Sequence, residues 1–292
     1  MNNYNYNIYR GRDKKIQFSI DNLSIVGEFT KGYDYYKTIF SHYSNVVDNS
    51  KFIRTKTEFF SASFMINEQL FLQVDGNTNK CRLEFNPNKI SLETKKEISF
   101  ILGFLTNIHY TRLDLAIDLF NYKICDYKII DIGSRKKAYF YGRDNKLQTM
   151  YSGSNKSSKY IRIYNKGIEQ KIEDIDWWRF ELQLRDIYID KYLTDMVEFF
   201  DNIFIFKYKS IDKYDMHENA MIEYLLADIN RLNDFARRET KQKYKHIIRN
   251  LEVESLDFFS DIINMTTEKV NRYLSYICST KSMPQYFDVS RG

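Results

Sequence analysis

Arg112-Leu113-Asp114-Leu115-Ala116-Ile117-Asp118-Leu119 is the stretch that decides the fold class. Its apolar residues fall at every second position, and successive side chains of a strand point to opposite faces. Leu113, Leu115, Ile117 and Leu119 therefore share one face. Arg112, Asp114, Ala116 and Asp118 share the other. A period of two held over this length signals a half-buried strand, not a helix.

Three more segments follow the same grammar. In Trp178-Arg179-Phe180-Glu181-Leu182-Gln183-Leu184-Arg185, the residues Phe180, Leu182 and Leu184 alternate with Arg179, Glu181, Gln183 and Arg185. In Tyr160-Ile161-Arg162-Ile163-Tyr164-Asn165-Lys166-Gly167, Ile161 and Ile163 face a core, while Tyr160, Arg162, Tyr164 and Lys166 face away from it. In Cys81–Asn86, Leu83 and Phe85 oppose Arg82, Glu84 and Asn86, and Pro87 ends the strand. Residues 16–30 read as a first strand, residues 33–47 carry aromatics at helical spacing, and Thr55–Val74 holds two strand-like runs. Asp75-Gly76-Asn77 is a hairpin turn signal. Ser91 is an N-cap candidate for a helix running to about Asn107. Short strands are expected at Lys137–Tyr141 and Gln148–Tyr151. After Arg185 the strand patterns stop, and helical periodicity marks Glu218–Phe235, Glu239–Leu251, Leu256–Ile263 and Lys269–Cys278. The pattern predicts an α+β fold, with a mainly antiparallel sheet carrying the active site and a helical C-terminal region. The predicted domains are residues 1–200, built on the sheet, and 201–292, helical, with a soft boundary.

Composition narrows the class. The aromatic share of 16% argues against disorder. Three widely spaced cysteines give neither a disulfide framework nor a zinc pattern, and favour a reducing, cytoplasmic setting. The N-terminus lacks the apolar core of a signal peptide, and the apolar run near Ile98–Leu105 is too short to span a bilayer, so no membrane role is expected. A net charge of +5 permits nucleic-acid binding without requiring it.

The four segments offer Glu84, then Asp114 and Asp118, then Arg162, Tyr164 and Lys166, then Glu181. If one sheet gathers them, carboxylates stand beside a tyrosine flanked by cations. Carboxylate oxygens suit Mg²⁺ or Mn²⁺, and a phenol held by cations is a plausible nucleophile for a phosphodiester. The plainer alternative is a solvated sheet face carrying cross-strand ion pairs. No two histidines lie two residues apart, so the His-hydrophobic-His metal site of many rolling-circle nucleases is absent, as are a P-loop, a dinucleotide loop and an HExxH motif. Ser152–Ser158 reads either as a phosphate-holding loop or as a hairpin turn. Arg237, Arg238, Lys241, Lys243, Lys245 and Arg249 form a basic run that is either a DNA-docking helix face or a solvated one.

RLDLAID, GSNKSSKYIRIYNKGIEQ and WWRFELQLR, in that order, resemble the replication initiation factor (Rep_trans) family, the initiators of small rolling-circle plasmids. IDNLSIVGEF and CRLEFNPNK look like its N-terminal strands. The likeness covers roughly residues 16–190, with a weaker echo in RRETKQKYKHIIRN. The resemblance implies a sequence-specific DNA nicking and closing enzyme, a homodimer with one nucleophilic tyrosine per subunit. It acts on origin DNA that is single-stranded or extruded at the nick. By its R-I-Y-x-K motif the nucleophile is Tyr164, linked to a 5′-phosphate, with Arg162 and Lys166 on the scissile phosphate and Tyr160 and Tyr151 as fallbacks. Asp114, Asp118 and Glu181, with Glu84 a weaker candidate, would bind the Mg²⁺ or Mn²⁺. Origin recognition would be C-terminal, matching the basic run, and a host helicase would be a partner. The rival expectations are a conjugative relaxase, a non-catalytic origin-binding protein, and a phosphodiesterase that uses water.

Overall fold

The computed structural model describes residues 6–10, 14–45, 60–131, 136–144, 146–172, 174–186, 189, 203–208, 214–227, 229–249, 253–255 and 270. The alternating segments become neighbours in one antiparallel sheet. Its strands are β1 (Tyr6–Arg10), β2 (Lys14–Phe29), β3 (Ala62–Ile66), β4 (Leu70–Asp75), β5 (Lys80–Phe85), β6 (Leu105–Phe120), β8 (Lys137–Tyr141), β9 (Leu147–Ser152), β10 (Lys159–Asn165) and β11 (Trp177–Arg185). They run in the order β3-β4-β5-β2-β6-β11-β10-β9-β8, with β1 pairing β2. The long strands β2 and β6 form the spine, and β11 lies on the other side of β6.

The apolar face carries the core. Phe18, Leu83, Leu115, Ile117, Ile163, Trp178, Phe180 and Leu182 are all buried there. Helices α1 (Tyr33–Asn45) and α2 (Leu92–Leu102) contribute Ile39, Tyr43, Ile98, Ile101 and Leu102 to the same cluster. Burying one such side chain contributes about 1.5–3 kcal/mol, which fixes the alternation to one register: a one-residue slip would put every core residue of a strand into water. Ser91 does cap α2, its hydroxyl accepting from the Thr94 amide at 3.1 Å. The helix stops at Leu102 instead of about Asn107, because Leu105 onward is drawn into β6 against β2.

One expectation fails outright: strands do occur after Arg185. β12 (Ile203–Tyr208) pairs with β7 (Lys128–Asp131) and with β13 (Val253–Ser255) in a second, three-stranded antiparallel sheet. Ile203, Ile205 and Phe206 of the IFIFKY run are buried; with apolar residues at adjacent positions it lacks the alternation that marks the site strands. This sheet ties residues on either side of position 200 together. Beyond it, α4 (Met216–Ala227), a short 3-10 helix at Ile229–Asp234 and α5 (Arg238–Arg249) enclose a small separate core of Ile222, Leu225, Leu232, Tyr244 and Ile247. The helix expected over Glu218–Phe235 is thus split in two. The segments expected at Leu256–Ile263 and Lys269–Cys278 lie outside the described residues, apart from Val270. Among the described residues no helix is long and apolar enough to cross a membrane.

Candidate active site

The sheet's second face, opposite the core, gathers the charged residues by register. Arg162 stands opposite Glu181 and Tyr164 opposite Arg179. Arg179 in turn faces Asp118, and Gln183 faces Asp114. The ladder continues through Asn22 opposite Asp114 and Ser24 opposite Glu84. The structure therefore brings Tyr164, Arg162, Glu181, Asp114, Asp118 and Glu84 onto one surface.

That surface has two ends. At the closed end Asp118, only 3% exposed, accepts three hydrogen bonds: from Trp177 Nε1 at 2.7 Å, Arg179 Nε at 2.7 Å and Arg179 Nη2 at 2.7 Å. Trp177 stacks on Phe120 at 5.4 Å over this pair. At the open end a cleft of about 340 Å³ is lined by Asp21, Arg112, Asp114, Tyr151, Tyr160, Arg162, Glu181 and Gln183. Arg112 holds Asp114 by a fork, Nε to Oδ1 at 2.9 Å and Nη2 to Oδ2 at 2.6 Å, and reaches Glu84 at 3.4 Å. Burial raises the Asp114 carboxyl above its ordinary range, against the pull of Arg112 and with Glu84 adding to the rise.

Tyr164 lies between these ends. Its hydroxyl donates to Glu181 Oε1 at 2.6 Å, and the Arg162 guanidinium covers its ring at 3.7 Å, leaving the residue 2% exposed. Burial, then the hydrogen bond to Glu181, push the phenol well above its ordinary pKa. Burial also raises the Glu181 carboxyl, although Tyr164, Arg162 and Arg179 pull the other way. A carboxylate made more basic, bonded to a phenolic proton, is the arrangement a general base requires.

The residues after Tyr164 explain the rest of the motif. Asn165 caps α3 (Lys166–Gln170), its Oδ1 accepting from the Ile168 amide at 2.9 Å. A Cβ at Gly167 would meet the Ile172 carbonyl at 3.0 Å and the Ile175 carbonyl at 3.1 Å, so any larger residue would have to push this turn open by a few tenths of an ångström. The turn brings Glu169 back onto Arg162, at 3.2 Å from Nη2, and onto Lys166. Arg162 and Lys166 are thus held together by one carboxylate.

Asp21 went unread in the sequence. A bulge in β2 between Ile20 and Asn22 turns both Asp21 and Asn22 towards the charged face. There Asp21 accepts from Arg179 Nη1 at 3.1 Å and from Asn86 at 3.2 Å. The spacing of the apolar residues carries the signal: Ile16, Phe18 and Ile20 step by two, and the next step, to Leu23, is three.

Oxygen donors suit Mg²⁺ or Mn²⁺, but their arrangement in the chain alone does not make a site. Among the described residues no three His, Cys, Asp or Glu side chains are grouped to hold a metal ion. Asp114 is held by Arg112 and Asp118 by Arg179. The Ser152–Ser158 stretch is the hairpin connection between β9 and β10, with Gly153 at φ +87 and Ser154 bonded to Ser157. On α5, Tyr244 and Ile247 face the small core, while Arg238, Lys243 and Lys245 are exposed, as is Arg237 just before the helix, and Lys241 is half-buried. Lys243 pairs with Glu218 at 2.6 Å and Lys241 with Asn233 at 2.6 Å. Arg249 closes the helix, and its side chain lies outside the described residues.

Comparison with known proteins agrees with the motifs. The chain is similar to replication initiation proteins of Staphylococcus aureus. One is 29% identical over 276 residues, covering 89% of this chain and 84% of its own length. A second is 29% identical over 277 residues, covering 90% and 83%. No family model matches. The solved structure of a rolling circle replication initiator protein from Geobacillus stearothermophilus aligns with 68% of this chain and 89% of its own, at 17% identity and a TM-score of 0.42.

Proposed function

We propose that the chain starts plasmid rolling-circle replication by nicking one strand of an origin and holding the new end as a tyrosyl phosphate. The observation that carries this is the Tyr164 hydroxyl at 2.6 Å from Glu181, under the Arg162 guanidinium. Glu181 takes the phenolic proton as the Tyr164 oxygen attacks phosphorus. The phosphorus–O3′ bond breaks, the 5′-phosphate stays on Tyr164, and the 3′-oxygen leaves as a hydroxyl after taking a proton from solvent. Arg162 and Lys166 exchange Glu169 for the scissile phosphate and stabilise the charge that builds on it. Arg162 must move to let DNA reach the ring it covers. The staphylococcal relatives supply the replication context, and the exposed basic residues of α5 supply a surface for backbone phosphates.

A homodimer, a host helicase and origin recognition by α5 belong to the same proposal through the family resemblance. So does Mg²⁺ or Mn²⁺, which would require Asp114 and Glu181 to be released from their guanidinium partners; Asp21 borders the same cleft. Asp118, with its three donors, is the least available of the carboxylates for an ion.

Nicking of a supercoiled origin plasmid with Mg²⁺ or Mn²⁺ tests the reading. Tyr164→Phe is expected to abolish both the nick and the covalent protein–DNA adduct, and retention of either overturns the assignment. A second reading has one observation in its favour: Tyr151 and Tyr160 line the cleft, whereas Tyr164 is covered. Peptide mapping of the adduct separates the three tyrosines. An enzyme that uses water would leave a free 5′-phosphate and no adduct at all.

A further inference from the structure

On the charged face, β8, β9 and β10 carry a file of aromatic rings leading into the cleft. Phe140 is level with Thr149, next to Tyr151 on the same face of β9, and Tyr151 stands opposite Arg162. Tyr151 and Tyr160 lie nearly parallel, with ring centroids 6.0 Å apart and 9° between planes. Phe140 meets Tyr151 edge-on at 5.6 Å and is 56% exposed. Both tyrosines are half-buried and border the cleft.

Guanidinium and amide groups stand beside these rings. Arg162 lies 5.9 Å from the Tyr151 ring and reaches the cleft together with Gln183 and Arg112. Of the residues lining the cleft, Arg162 and Gln183 each carry one enclosed donor atom, Nε and Nε2, that has no hydrogen-bond partner among the described residues. The guanidinium groups of Arg112 and Arg162 border the cleft, and such groups suit the oxygens of a phosphate. Aromatic rings with guanidinium groups beside them match an unpaired nucleotide, which offers a base face and a phosphate together. A duplex does not match, since its base faces are already stacked on one another.

We propose that Tyr151 and Tyr160, flanked by Phe140, form a base-stacking subsite for the unpaired nucleotides next to the scissile phosphate. This rests on the nicking site proposed above and assigns these tyrosines to holding DNA instead of attacking it. A cross-strand aromatic pair that served only to stabilise the hairpin would not need to open onto a cleft bordered by Arg112 and Arg162.

The test uses the full chain carrying Tyr164→Phe, with EDTA present and a probe that lacks the origin sequence, so that cleavage by Tyr164 or by a metal-dependent alternative does not intervene. The probe is a fluorescein-labelled oligo-dT strand of about twelve nucleotides, with a duplex of the same length as control. Tyr151→Leu with Tyr160→Leu keeps apolar bulk without a π face. It is expected to weaken oligo-dT binding about tenfold or more while leaving duplex binding within about twofold. Phenylalanine at both positions restores binding. Abasic substitution of successive nucleotides in the probe lowers the affinity of the parent and erases its advantage over the leucine variant. Equal binding by the leucine variant and the parent overturns the proposal. So does an equal loss for strand and duplex, or a phenylalanine variant that behaves like leucine.

Discussion

Asp114 and Asp118 lie on one strand and one face of it, yet they inhabit different chemistry. Asp118 is enclosed by Trp177 and Arg179, with three donors on its two oxygens. Asp114 opens on a cleft, shares a guanidinium with Glu84, and has its carboxyl raised by burial. The closed end is a finished ion pair that organises Arg179 beneath Tyr164. The open end is an ion pair that is partly solvated and borders the cleft. Alternation places a side chain on a face; its cross-strand neighbours decide whether it is structural or available.

The sharpest way to break this contrast is to remove the two arginines one at a time. Arg179→Ala leaves Asp118 buried without its cation, and breaking a buried pair costs about 3–5 kcal/mol. Arg112→Ala acts where both side chains are partly solvated, at 26% and 17% exposed, and is expected to cost about 1–2 kcal/mol. Urea unfolding followed by circular dichroism measures both. Equal losses would mean that the two ends are not distinct.

The faces were legible in the residues because burial imposes a period of two, and RLDLAIDL, YIRIYNKG and WWRFELQLR each kept it. The pairings were not, because register across strands far apart in the chain depends on contacts that no local pattern records. Nothing in the Asp118 segment announces Trp177, and nothing near Tyr164 announces that Arg162 will cover it. Asp21 is the intermediate case: its bulge is written in the step from Ile20 to Leu23, but only the structure shows it meeting Arg179. β12 was missed for the reverse reason, since IFIFKY has apolar residues on both sides and shows no alternation of the kind that marks the site strands.

A smaller effect sharpens the open end. The carboxyl of Asp114 is raised above 3.8 in the folded state, so the folded chain binds this proton more tightly than the unfolded chain does. Linkage then gives the sign: the stabilising contribution is full below 3.8 and is lost as pH rises through the folded pKa. Asp114→Asn removes the titration. Stability profiles from acid to neutral pH should therefore fall less steeply in the variant than in the parent, whatever constant offset the lost pairing with Arg112 adds. A parallel pair of profiles would mean that the carboxyl of Asp114 is not strained by its surroundings. Glu181, raised in the same direction, predicts that nicking gains rate as pH climbs through its folded pKa, above 4.5, because the base must be ionised to accept the phenolic proton.

The smallest effect on stability should come with a clear effect on binding. Glu169 is joined to both Arg162 and Lys166, the residues that in the proposed reaction meet the phosphate, and these cations hold its carboxyl below the usual range. It is more than a third exposed, so Glu169→Gln should change stability by no more than about 0.5 kcal/mol. The same change removes the carboxylate that Lys166 and Arg162 share, leaving Arg162 with Glu181 at 3.7 Å. Oligo-dT should bind several-fold more tightly, and its affinity should fall more steeply with salt, since each phosphate newly neutralised on a single strand adds about 0.7 to the slope. A tighter complex with an unchanged salt slope would point to a rearranged loop instead of freed charge. An unchanged affinity would mean that Arg162 and Lys166 do not meet the phosphate, and would move the phosphate contact to Arg112 and the donors across the cleft.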